Sequence, residues 1–83
     1  MEREEIEDIV KQFLIDEIEA EEEAITPDAL LKDDLGIDSL DFVDIVVIVE
    51  RNFGFKIKPE EMADVHTLRQ FHDYIESKVN GIN

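Results

Sequence analysis

The sequence predicts an all-α fold: a small bundle of three main helices plus one short helix, with a long loop between the first and second helices. Three observations carry this reading. Apolar residues recur at steps of three and four in three separate stretches. Helix-start chemistry heads the second and third stretches, as Asp38 and as Thr67 three residues before Gln70. Finally, the one short alternating stretch, Phe55-Lys56-Ile57-Lys58, has no second strand to pair with, so it reads as an extended loop.

The first helix is expected at about residues 3 to 18. Ile6, Ile9, Val10, Phe13, Leu14 and Ile18 form one face of it, and Glu2, Glu4 and Glu5 lie early, where the helix dipole favours anions. The run Glu19 to Glu23 reads as a solvated helix end running into loop. Thr26-Pro27-Asp28 then marks a turn, because the residue before proline is driven out of the helical region. Ile25, Leu30 and Leu35 are expected to pin this loop, whose length calls for anchoring by its own side chains.

Asp38 opens the second helix, expected to run to about Asn52. At 100° per residue, Phe42, Ile45, Val46, Val49 and Phe53 share a core face, with Val43 on its flank. Leu40, Asp41, Asp44, Val47, Ile48 and Arg51 lie opposite. With apolar residues on both sides, either both faces are buried or one meets a partner, and the small size of the domain favours the partner. Gly54 stops the helix, and Pro59-Glu60-Glu61-Met62 gives the short helical turn. Thr67 opens the last helix, to about Val79, with a stripe of Leu68, Phe71, Tyr74, Ile75 and Val79.

Eighty-three residues at 9.6 kDa fit a single domain spanning 1–83. The 23 acidic and 8 basic side chains give a net charge of −15. Such a surface repels nucleic acid and anionic lipid, and favours a basic protein partner. Cysteine is absent, which removes disulfides and thiolate chemistry from the chain itself. Met1 is followed by acids rather than a basic, then apolar, leader, and the expected location is cytoplasmic.

No residue pattern announces catalysis. Gly36-Ile37-Asp38-Ser39-Leu40 lacks the flanking glycines of a nucleophile elbow. His66 and His72, six apart, point to different sides of a helix and read as structural, with His72 edging the buried stripe. Asp33, Asp34, Asp38, Asp41 and Asp44 do not fit a calcium loop, leaving at most a diffuse attraction for cations. Ser39 stands first in the second helix, in front of unsatisfied N–H groups. That position suits either a filler at a capped end or a serine bearing a phosphate ester.

Asp34-Leu35-Gly36-Ile37-Asp38-Ser39-Leu40-Asp41 resembles the attachment motif of acyl carrier proteins. The likeness continues through Ile25-Thr26-Pro27-Asp28, Val43 to Phe53, Ile57-Lys58-Pro59-Glu60-Glu61 and Asp73-Tyr74-Ile75, and so covers nearly the whole chain. It implies a non-enzymatic carrier whose Ser39 receives 4′-phosphopantetheine from coenzyme A through a phosphopantetheinyl transferase. Asp38 and Leu40 complete the motif. Asp41, Asp44, Val47 and Glu50 match the family's partner-facing positions, the partners being acyl-transferring and chain-elongating enzymes with basic patches. The resemblance also implies a monomer, and an apolar interior of Phe42, Ile45, Val46, Val49, Phe71 and Ile75 that opens for an acyl chain.

Arg51, Phe42 and Ile48 depart from the common fatty-acid pattern, as do the positive Lys56 and Lys58. The carrier therefore serves either fatty-acid synthesis or a specialised, polyketide-like pathway. A reading from another class is an acidic helical interaction module without cofactor. Loading of Ser39 separates it from both.

Overall fold

The computed structural model describes residues 1–81. Three α-helices, α1 (Arg3–Asp16), α2 (Ser39–Phe53) and α3 (Leu68–Val79), are joined by segments carrying two single 3₁₀ turns, Glu22–Ala24 and Pro59–Met62. The all-α bundle, the short helix at Pro59 and the long connection all match expectation. So does the extended course of residues 55–58, which buries Ile57. α1 is shorter than the pattern implies: beyond Asp16 the chain turns, and Glu19 takes a positive φ of 63°.

The core draws one face from each helix. Ile6, Val10, Phe13 and Leu14 of α1 meet Ile45, Ile48 and Val49 of α2 and Leu68, Phe71 and Ile75 of α3. α1 and α3 pack side by side along the most extensive helix–helix seam among the described residues. Arg3 reinforces that seam, with Nη1 reaching Asp73 at 2.6 Å and Glu76 at 3.1 Å while Nε holds Glu7 at 3.1 Å. These pairs are partly exposed, so each adds at most about 1 kcal/mol beside the apolar burial.

Ile48 corrects the sequence reading: it is buried at 4% exposure rather than facing out. It lies three residues from Ile45, about 60° away around the axis, and the neighbouring elements meet α2 on that side. The buried direction is therefore rotated by roughly 50° from the one the apolar pattern implies. Val43, on the expected flank, is consequently exposed.

Leu30 is a second correction. It is exposed, and the loop is anchored by Ala29, Leu35 and Ile37, with Ile25 half-buried. Leu30 forms an isolated antiparallel bridge with Thr67, so its side chain falls on the side opposite to the buried Ala29. Backbone bonds complete the anchoring. The amides of Leu68 and Arg69 donate to the carbonyls of Ala29 and Pro27, both at 2.9 Å, and Leu31 N–H donates to His66 at 2.9 Å. The loop thereby satisfies two of the amide donors that the start of α3 leaves unpaired.

Candidate functional site

The site is built at the start of α2. Gly36 turns the chain with φ 71°, a conformation costly for residues with a Cβ. The Ile37 amide then donates to Leu31 at 3.0 Å, setting Asp38 at the N-cap. Asp38 Oδ1 accepts from Leu40 N–H at 2.9 Å and Asp41 N–H at 3.0 Å, and the Asp41 carboxylate accepts from Asp38 N–H at 3.4 Å. Ser39 is the first helical residue and is exposed. Among the described residues nothing hydrogen-bonds to its side chain or its amide. The expected row of open donors is thus reduced, because Asp38 already holds the next two.

A cleft of about 420 Å³ opens beside Ser39. Leu31, Ile37, Phe42, Met62 and Val65 give its apolar lining, while Lys32, Asp33, Asp38 and His66 contribute polar groups. Of the residues expected to form an opening interior, only Phe42 lines this cleft. Ile45, Val49, Phe71 and Ile75 are closed core at 0–3% exposure. Leu31, Met62 and Val65 carried no periodic signal, since they lie in loop and 3₁₀ segments brought together only by the fold. His66 shares the cleft with Ser39, yet no hydrogen bond joins them, and Gln70 engages the His66 backbone N–H at 2.8 Å.

Along α2, Leu40 is 79% exposed, Val43 61% and Val47 58%. Asp44 and Glu50 are exposed beside them, and Asp41 half-buried. None of these three acids forms a salt bridge among the described residues, whereas Arg51 pairs with Glu17, just past the end of α1, at 2.9 Å. The result is an apolar stripe flanked by uncompensated negative charge. Val43 belongs to it and was placed only on the flank by the wheel. Its signal was a branched apolar residue between two acids on either side, Asp41 and Asp44.

Among the described residues, no group of His, Asp or Glu is arranged to hold a metal ion. No helix there is long and apolar enough to cross a membrane.

A family model described as the phosphopantetheine attachment site matches residues 8–75. The acyl carrier protein of Coprothermobacter proteolyticus is 42% identical over 79 residues, covering 95% of this chain and 96% of that protein. The acyl carrier protein of Thermotoga maritima is 39% identical over 77 residues, covering 93% and 95%. A small helical bundle with this match is of the class that carries 4′-phosphopantetheine. The chain belongs to the acyl carrier protein family, whose members are carriers rather than enzymes.

Proposed function

We propose that this chain, acting as a single-domain, cytoplasmic monomer, carries acyl intermediates on a 4′-phosphopantetheine arm attached to Ser39. Its cargo goes to the acyl-transferring and chain-elongating enzymes of fatty-acid biosynthesis. The observation that carries the reading is the Ser39 hydroxyl itself: exposed, free of internal hydrogen bonds, and first in a capped 15-residue helix. When bound, the group supplies a terminal thiol that holds acyl groups as thioesters, the sulfur this cysteine-free chain lacks. Everything else falls to the chain's own residues.

Asp38 fixes the helix start, so that the Ser39 side chain leaves the surface in a defined direction. The positive end of the α2 dipole favours a phosphate there. Leu40 stands next to it, available to an enzyme that must recognise the motif. The cleft lined by Phe42 and Met62 offers apolar shelter within reach of the same residue. Val47 with Asp41, Asp44 and Glu50 forms the face read by partners. Opposite charge speeds encounter, while rim charges of this kind add little affinity, so release stays quick.

Incubation with coenzyme A and a broad-specificity phosphopantetheinyl transferase tests the attachment. Intact mass is expected to rise by one phosphopantetheinyl group in the parent chain and to stay unchanged in Ser39→Ala. An unmodified parent chain would leave only an acidic helical module. The fatty-acid assignment is tested by recovering acyl-thioesters from cells: saturated or 3-hydroxy chains support it, and polyketide-like cargo that keeps several oxo groups overturns it.

A further inference from the structure

His72 lies on α3 with only 6% of its surface exposed, and among the described residues its Nε2 finds no hydrogen-bond partner. It lines a small cleft where three segments meet: Glu7, Asp8 and Lys11 from α1, Ile25, Thr26 and Pro27 from the loop, and Leu68 one turn earlier on α3. The same junction contains the bonds from the Leu68 and Arg69 amides to the carbonyls of Ala29 and Pro27. An unpartnered imidazole nitrogen is tolerated there only while the ring is neutral, since burying a charge without a partner costs far more.

We propose that His72 is an acid-sensitive latch: neutral, it closes the junction of α1, the loop and α3, and its protonation loosens the loop that leads to Ser39. The acceptors around it are already committed or exposed. Glu7 is held by Arg3, and so is Asp73, the neighbour on α3 itself. Arg3 opposes a positive ring, while Glu7 and Asp73 favour one; Asp8 and Lys11 share the cleft, and the loop sets Glu22 against Lys11 at 3.2 Å and Asp28 against Arg69 at 3.3 Å. Burial outweighs the attraction and holds the imidazole below the ordinary histidine range. The sign follows. An unfolded chain binds the proton more readily, so stability is complete above about pH 6.5 and is lost as pH falls toward the folded value. Histidine is the side chain whose ordinary pKa falls in this window.

The test measures unfolding of the full chain in urea at pH 7.5 and 5.5, beside His72→Gln. The parent's unfolding constant is expected to rise several-fold, at most about tenfold, on acidification. The variant is expected to lose that dependence. Amide exchange at Leu68 and Arg69, corrected for intrinsic rate, should accelerate at pH 5.5 in the parent only. Equal pH slopes in parent and variant overturn the latch. Should His72→Gln fail to fold, proton NMR of the unmodified chain decides. His72 must titrate below the ordinary histidine value of about 6.5, and a His72 that titrates at or above it sinks the proposal.

Discussion

The starts of α2 and α3 share one chemistry, a short polar cap with a reciprocal bond from the third residue, yet the two helices treat their surroundings oppositely. At α3 the loop carbonyls and the Thr67 cap take up the first amides, and its core stripe is buried. Charged side chains of α3 are tied as well, Asp73 and Glu76 to Arg3, Lys78 to Glu61, and Arg69 to Asp28. At α2, among the described residues, the first amide is open, three large apolar residues face solvent, and three acids have no cation. α3 is spent on holding the fold. α2 keeps a surplus of unsatisfied surface, and that surplus is where function resides.

The contrast breaks or stands on paired substitutions. Ile75→Ala on α3 is expected to lose about 2–5 kcal/mol of stability in urea unfolding, because a fully buried side chain leaves a cavity. Val47→Ala on α2 should stay within about 0.5 kcal/mol. Comparable losses would mean that α2 has no surface to spare. The caps sharpen the point: Thr67→Ala and Asp38→Ala should each cost about 1 kcal/mol, since both starts rely on a side-chain acceptor. Only the second is expected to slow loading by the transferase.

Alkaline titration probes the fixed region next. Burial, then its hydrogen bond to Glu61 at 2.7 Å, pushes the Tyr74 phenol up to about 12. With the folded value above the ordinary 10, the neutral phenol's contribution is complete below pH 10 and is lost as pH rises toward 12. Tyr74→Phe should flatten that part of the pH–stability curve, measured by circular dichroism. The smallest effect on stability belongs to Asp44→Lys, which should leave the melting temperature within a degree or two. Its association with a basic partner enzyme should slow several-fold at low salt and converge with the parent at high salt, as stopped-flow rates would show. Unchanged rates would remove Asp44 from the recognition face.

Much of this contrast is legible in the residue pattern. Thr67 with Gln70 and Asp38 with Asp41 mark both starts, because a cap is local chemistry needing no knowledge of the rest of the fold. The surplus on α2 is also visible, as Leu40 and Val47 among acids. The direction of the core is not: Ile48 and Val43 exchange places because neighbouring elements, not the helix's own periodicity, decide which arc is covered. The cleft is equally hidden, since Leu31, Met62 and Val65 come from segments without period. His72 reads as a residue at the edge of a stripe, and only the packing of α1 and the loop turns that edge into interior.

The bare stripe of Leu40, Val43 and Val47 would, on a neutral body, invite two copies to stick face to face. Here each copy brings a net charge of −15 to the encounter, so like meets like and is turned away. Colloidal self-exclusion and selective attraction are thus one property of the same carboxylates. High ionic strength removes it, and there the chain should sediment as a concentration-dependent mixture of one copy and two.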